Sequence, residues 1–232
     1  MSVENAKYAN DVSEYVEAAL CPPTPAFAHA YTNTSAHGIP EIALSPSQGK
    51  LISLLTRISG AKNVLEIGTL GGYSALWLAE GLKDAGGKLT SIEIDPARRA
   101  VAIENLEYGN VKVPEQVDIV LGAALDVLPN LSKEISQGKR QKFDVVFIDA
   151  DWDNQWAYFD WAVKLSSGRG SVVYVDNVVR QMLETGVLGP APRDTNVPNL
   201  VEMVGKDDRV DATVIQTCGG KNYDGFLLAT VR

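Results

Sequence analysis

From residue 63 onward, short apolar runs alternate with segments whose apolar residues recur at helical spacing. The runs predict five strands, at Asn63–Gly68, Lys88–Asp95, Val117–Gly122, Phe143–Ala150 and Gly170–Asn177. The spacing predicts helices between them, notably at Ser74–Ala85, Pro96–Tyr108 and Trp152–Leu165. Continuous apolar stretches such as VVFI and VVYV are typical of strands covered on both faces. This alternation predicts an α/β fold with a doubly wound, mostly parallel sheet.

The end of the chain has a different pattern. Two further strand segments, Asp211–Thr217 and Gly225–Val231, are separated only by a stretch rich in glycine, asparagine and aspartate. Such a short connection predicts a hairpin, whose two strands are antiparallel. The complete prediction is therefore a seven-stranded sheet that ends in an antiparallel C-terminal hairpin.

The first 45 residues are predicted to form a helical appendage to a core at residues 46–232, within a single domain. A helix is expected at Asn10–Ala19, before a group of prolines. The polar segment with His29 and His37 is expected to be a solvated loop, since two histidines eight residues apart make a poor metal site. Ser45 and the following proline predict the start of a helix that ends at Gly60.

The composition and net charge limit the classes of partner that the chain is expected to bind. The chain has a net charge of −8, with 45% apolar and 22% charged residues. An acidic protein is repelled by the negative charges of nucleic acid and of an anionic membrane, so we expect neither as a partner. Cys21 and Cys218 lie far apart, and the sequence shows no signal peptide or long apolar run. A reduced, cytoplasmic location is therefore expected.

The stretch NVLEIGTLGGYSALWLA, residues 63–79, combines a strand, a glycine-rich turn and a helix. This arrangement directs backbone N–H groups and the positive end of a helix towards a ligand. The glycines allow a tight turn and the close approach of that ligand. The spacing lacks the middle glycine of the dinucleotide fingerprint, which argues against an NAD-binding site.

Residues at the predicted strand ends suggest what the ligand is. Glu93 ends the second strand, where a carboxylate can accept hydrogen bonds from ribose hydroxyls. An exposed carboxylate without a function is the alternative for this residue. Gly122, Ala123 and Ala124 follow the third strand and are small enough to let an adenine ring lie against the backbone.

The fourth and fifth strands end in oxygen-bearing side chains. Asp149 follows one strand, and the pair Asp176–Asn177 follows the other. Because neighbouring carboxylates repel each other unless a cation lies between them, these residues suggest a site for a hard ion such as Mg²⁺. Aspartates at such positions are also common helix N-caps, and this alternative suits Asp151 or Asp153 better.

The segments Glu66-x-Gly68-x-x-x-Gly72-Tyr73-Ser74 and FIDADWDN, with a strand ending in DN, resemble those of one family. They are similar to the cation-dependent class I S-adenosylmethionine (SAM) O-methyltransferases, the catechol and caffeoyl-CoA group, from about Leu44 to Arg232. The resemblance implies a homodimer with Rossmann-like domains and N-terminal residues near the substrate entrance. It also implies catalytic metal ligands at Asp149, Asp176 and Asn177. The SAM pocket would contain Glu66, Gly68, Gly72, Tyr73, Ser74, Glu93, Ala124, Asp149 and Asp151.

One position departs from the family pattern, because Trp152 stands where the family usually carries a lysine that acts as general base. We expect Mg²⁺-dependent methyl transfer from SAM to a vicinal dihydroxy aromatic, such as a catechol, flavonoid or hydroxycinnamoyl compound. Trp152 and Trp156 are expected on one helical face, where Trp152 could stack on the substrate. A loop at residues 179–198 is expected to border the acceptor. The alternatives are a SAM-binding protein without catalysis, a methyltransferase for another acceptor, and an NAD-dependent oxidoreductase.

Overall fold

The computed structural model describes residues 7–219 and 222–232. Its strands are β1 (Asn63–Ile67), β2 (Lys88–Glu93), β3 (Val117–Leu121), β4 (Val145–Ile148), β5 (Val172–Val175), β6 (Val210–Gly219) and β7 (Asn222–Val231). They form one sheet in the order β3-β2-β1-β4-β5-β7-β6. Strands β1 to β5 pair in parallel, whereas β7 is antiparallel to both β5 and β6. The predicted sheet and hairpin are confirmed, although Gly220 and Lys221 of the connection lie outside the described residues.

The described ranges contain nine α-helices. They are α1 (Ala9–Leu20), α2 (Pro25–Ala36), α3 (Pro46–Ile58), α4 (Tyr73–Leu82), α5 (Pro96–Tyr108), α6 (Ala124–Ser136), α7 (Gln155–Leu165), α8 (Val178–Glu184) and α9 (Leu200–Val204). None of these helices is long and apolar enough to cross a bilayer.

Apolar side chains cover both faces of the sheet. Along β4, Val145 and Phe147 pack into a cluster with α2, α3, α4 and α5, whereas Val146 and Ile148 pack into a second cluster with α6, α7, α8 and α9. All four residues are buried, as continuous apolar strands require. This double cover holds the strands in fixed positions and brings their carboxyl ends to one edge.

Local sequence signals account for several helix boundaries. Ser45 caps α3 by accepting a hydrogen bond from the backbone N–H of Gln48, whose side chain in turn accepts one from the Ser45 backbone N–H. Asp95 caps α5 by accepting from the N–H groups of Ala97 and Arg98. The predicted bounds of α5 agree with the structure, and α3 begins as predicted.

Three predictions about individual segments are wrong. The histidine segment is helix α2, where His29 stacks on Tyr108 with ring centroids 3.8 Å apart. Helix α7 begins at Gln155, so Trp152 lies before it and does not share a helical face with Trp156. The segment expected to be a loop from residue 179 is helical as far as Glu184. The polar composition of the histidine segment does not indicate its contact with α5, which is distant in sequence.

Helix α1 lies on the outside of the molecule and contains no buried residue. Its large apolar side chains Val12, Tyr15 and Leu20 are exposed. The homodimer implied by the family resemblance stays a prediction.

The buried position of β1 generates a prediction about stability. Leu65 is 0% exposed in the central strand, whereas Leu188 is 58% exposed in the loop after α8. We expect Leu65→Ala to lower the free energy of unfolding by about 2–5 kcal/mol, because it removes buried surface and leaves a cavity. The matched variant Leu188→Ala should change it by less than about 0.5 kcal/mol. Urea denaturation measures both, and equal losses would contradict the assigned core.

Candidate active site

The carboxyl ends of the parallel strands form one edge of a cavity of about 930 Å³. Backbone hydrogen bonds continue the ladder one residue beyond the strands: Gly68 donates to Ile92, Asp149 donates to Ile67, and Asp176 donates to Ile148. These bonds hold the residues after β1, β4 and β5 in fixed positions at the carboxyl edge of the sheet. The volume lies near the upper end of the range for ligand sites.

The glycine-rich loop between β1 and α4 has a backbone that requires glycine. Gly68 has φ +97°, and a Cβ there would lie 2.0 Å from the carbonyl oxygen of Asp149. Gly72 has φ +79° and forms the N-cap of α4. A Cβ on Gly71 would lie 2.1 Å from the hydroxyl of Thr34. The expected tight turn is confirmed, and the close neighbours that exclude side chains belong to the protein itself.

Glu93 connects this loop to the end of β2 through hydrogen bonds. Its Oε2 accepts hydrogen bonds from the backbone N–H groups of Leu70 at 2.8 Å and Thr69 at 3.3 Å, and its Oε1 accepts one from Asp95 at 3.0 Å. The side chain is buried, yet it forms part of the cavity wall. A carboxylate with three backbone donors is well satisfied without a counterion.

Glu66 is fully buried in β1, behind the cavity wall. Its Oε2 accepts a hydrogen bond from the Ser91 hydroxyl at 2.5 Å, whereas Oε1 has no hydrogen-bond partner among the described residues. Burial raises the pKa of Glu66 to about 8, and the nearby hydroxyls of Ser74 and Ser91 oppose that rise only in part. Glu66 is therefore mostly protonated at neutral pH unless a cation approaches it.

The predicted metal ligands Asp149, Asp176 and Asn177 all line the same cavity. Gln48 donates from Nε2 to Oδ1 of Asp176 at 3.3 Å, so α3 helps to orient this carboxylate. Asn177 has φ +57°, a left-handed conformation that asparagine tolerates better than most residues. Its Nδ2 donates to Asp224 of β7 at 2.9 Å, which leaves the amide oxygen for another partner.

The donor set is suited to a hard cation. Within the described ranges, no three or more His, Cys, Asp and Glu side chains group in a way that could hold a metal ion. The predicted set differs from such a group because it has two carboxylates and one amide. Carboxylate and amide oxygens are the ligands that Mg²⁺ uses, together with water and substrate oxygens. The residues present therefore fit a divalent ion that takes part of its coordination from solvent or substrate.

A tight turn connects β4 to α7 and forms one side of the cavity. Asp151 accepts hydrogen bonds at Oδ1 from the backbone and side chain of Asn154, and the Tyr158 hydroxyl donates to its Oδ2. Burial and this hydrogen bond raise the pKa of Tyr158. Asp151 thus stabilises the turn before α7, although it is not the N-cap of that helix. Trp152, in the same turn, faces the cavity beside Arg180.

The N-terminal segment forms another part of the wall. Tyr31 of α2 donates a hydrogen bond to the carbonyl of Leu44 at 2.5 Å, and its ring lies 4.3 Å from that of Tyr73. The residues from Pro40 to Leu44 line the cavity as well. Part of the predicted appendage therefore belongs to the site.

Most of the predicted site residues come together in this cavity. Ten line it, namely Gly68, Tyr73, Ser74, Glu93, Ala124, Asp149, Asp151, Trp152, Asp176 and Asn177. Glu66 and Gly72 do not reach its surface. The further lining residues that the sequence analysis missed include the polar side chains of Tyr31, Gln48, Arg98 and Asp224, and Arg180 lies in the segment expected to border the acceptor. Only Gln48 carried a local signal, its place in the capping box at the start of α3.

Comparison with known proteins identifies the family. The sequence model of a family described as O-methyltransferase matches residues 24–229. The chain is 41% identical to O-methyltransferase imqG of Aspergillus flavus, over 95% of this chain and 90% of the relative. It is 39% identical to a catechol O-methyltransferase of Mycobacterium tuberculosis, over the full length of both.

A solved structure shares both fold and sequence. An O-methyltransferase from Bacillus cereus, in complex with SAH, superimposes with a TM-score of 0.86. It is 38% identical, and the match covers 98% of this chain and 100% of that one. The fold, the sequence and the residues that line the cavity thus agree, and this chain belongs to the O-methyltransferase family.

Proposed function

We propose that this enzyme transfers a methyl group from SAM to one hydroxyl of a vicinal dihydroxy aromatic, with the help of a divalent cation. The observation that carries the proposal is that a single cavity joins two sets of residues. The glycine-rich loop and Glu93 line it after β1 and at the end of β2, and the oxygen ligands Asp149, Asp176 and Asn177 line it after β4 and β5. The relative named catechol O-methyltransferase and the SAH-bound structure support this assignment.

The ends of β1 and β2 would bind the cofactor. The Glu93 carboxylate, already fixed by backbone donors, would accept hydrogen bonds from the ribose hydroxyls. The hydroxyl of Ser74 lines the cavity and suits the ammonium group of an amino acid, and the buried carboxyl of Glu66 lies directly behind it. When bound, SAM supplies an electrophilic methyl group on its sulfonium.

The ends of β4 and β5 would bind the acceptor. Asp149, Asp176 and Asn177 would hold the cation, while Gln48 and Asp224 keep two of these side chains in place. A bound divalent cation lowers the pKa of a coordinated hydroxyl and so favours the nucleophilic phenolate. The role of the protein is to hold the two substrates in line at one cavity.

The proton of the reacting hydroxyl needs an acceptor. Among the described lining residues none is a lysine or histidine, and Trp152 occupies the position of the family's usual base. An indole N–H only donates, so Trp152 cannot take the proton. The remaining routes are water and the cavity carboxylates.

The main alternative is a SAM-binding protein without catalysis, or a methyltransferase for another acceptor, and Trp152 is the residue that favours it. The family match argues against the NAD-dependent oxidoreductase. The effect of a chelator on methyl transfer separates the alternatives.

The metal proposal predicts a loss of activity on chelation. With SAM and a panel of catechols, turnover should require Mg²⁺ and disappear in EDTA. Asp176→Ala should reduce turnover to the EDTA level and keep SAM affinity, because β1 and β4 separate β5, which precedes Asp176, from β2 and Glu93. The matched variant Asp153→Ala, an exposed residue outside the cavity, should keep full activity. Equal turnover in EDTA and Mg²⁺ would refute a role for the cation.

The buried carboxyl of Glu66 predicts a pH-dependent stability. Its pKa rises from an ordinary 4.5 to about 8 on folding, so its penalty is absent below pH 4.5, grows between those values and is constant above pH 8. We therefore expect Glu66→Gln to stabilise the ligand-free protein at pH 8 by on the order of a few kcal/mol, with little gain at pH 4.5. Urea titrations at both pH values measure this difference.

The same variant should bind SAM more weakly, by about tenfold, because a neutral amide attracts an ammonium group less than a carboxylate does. The control is Glu80→Gln, an exposed glutamate on α4, which should change neither property. A stabilisation that is equal at both pH values would show that Glu66 does not titrate as described.

A further inference from the structure

The charges around the cavity are unevenly distributed. Six carboxylates line it, those of Glu41, Glu93, Asp149, Asp151, Asp176 and Asp224. Among the described lining residues the only basic side chains are two arginines, Arg98 and Arg180. Such a wall repels an anionic acceptor everywhere except near a bound cation or one of these arginines.

The two arginines follow different strands of the sheet, β2 and β5, which β1 and β4 separate. Arg98 is in the first turn of α5, directly after the end of β2, beside the proposed cofactor position. Arg180 is the third residue of α8, which directly follows Asp176 and Asn177. Its backbone N–H donates to Asp224 at 2.9 Å, and Asp224 also accepts from Asn177. Arg180 is therefore the arginine of the acceptor end.

The guanidinium of Arg180 is held on two sides. Its central carbon lies 5.4 Å from the ring centroid of Trp152, a cation–π contact. Its Nε donates to Glu184 at 2.7 Å, an i,i+4 pair along α8. Neither Nη atom hydrogen-bonds to any residue in the described part of the chain. A guanidinium that lies over an aromatic ring and donates from Nε presents its remaining donors in a defined direction.

We propose that Arg180 selects acceptors that carry a carboxylate in addition to the two hydroxyls. The inference rests on the proposed function, since it assumes that the hydroxyls lie at Asp149, Asp176 and Asn177. The Nη donors match a planar carboxylate, and Trp152 provides an aromatic surface beside them. The side chain of Arg180 is 46% exposed, so an acceptor entering from solvent can reach it.

Trp152 has a structural role in this arrangement. A lysine at the same position would put a second positive charge beside Arg180, whereas the indole ring attracts the guanidinium. With Trp152 in place of the family's lysine, the cation beside this position is Arg180, which keeps its charge, and not a lysine, which can lose its proton. Arg180 cannot act as a base, since its guanidinium does not lose a proton in proteins. Its role is positioning the acceptor.

Steady-state kinetics with matched acceptors tests the proposal. The acceptors are protocatechuate and caffeate, each compared with its own methyl ester in saturating SAM and Mg²⁺. The unmodified enzyme should have a kcat/KM at least about tenfold higher for one acid than for its ester, mainly through a lower KM. Arg180→Gln should bring this ratio to about one. Arg180→Lys should give an intermediate ratio, because it keeps the charge and loses the planar donors.

The control is Arg193→Gln, which removes an arginine paired with Glu202 outside the cavity and should leave the ratio unchanged. Transfer to acids and esters with equal kcat/KM would overturn the role of Arg180 and leave the proposed function standing. An acid preference that survives in Arg180→Gln would also overturn it. Absence of transfer to all four acceptors would overturn the proposed function, and this inference with it.

Discussion

The carboxylate of Glu93 is the group on which the geometry of the site depends. It binds the N–H groups of Thr69 and Leu70 and so joins the glycine-rich loop to the end of β2. Asn105 also holds the loop by donating to the Gly71 carbonyl at 2.8 Å, and Leu70 within it adopts a positive φ of 50°. A buried carboxylate that loses these donors would face its full desolvation cost, so loop and strand end stay together.

The parallel sheet supplies the other half of the arrangement. Since β1 lies between β2 and β4, the loop after β1 is adjacent to Glu93 on one side and Asp149 on the other. Strand β5 then adds Asp176 and Asn177, and β7 adds Asp224, which orients Asn177. One edge of the sheet thus carries Glu93, which binds backbone N–H groups of the loop, together with Asp149 and Asp176, whose oxygens suit a cation.

The sequence analysis succeeded where chemistry follows directly from position along a strand. Apolar runs located the strands, and the residues after them reach the cavity because parallel strands end at one edge. It failed where a contact spans a long stretch of chain. Helix α2 has few apolar residues at helical spacing, and packing against α4 and α5 stabilises it. Asp224 and Arg180 meet only through the pairing of β7 with β5, and the burial of Glu66 depends on both covered faces of β1.

Calorimetric titration of SAM into Glu93→Ala tests the central claim most directly, that this carboxylate shapes the cofactor end of the cavity. We expect affinity to fall by roughly 1–3 kcal/mol, because both the loop and the ligand lose a charged hydrogen-bond acceptor. The matched variant Glu107→Ala, an exposed glutamate on α5, should bind SAM like the unmodified protein. A folded Glu93→Ala protein with unchanged SAM affinity would contradict the account.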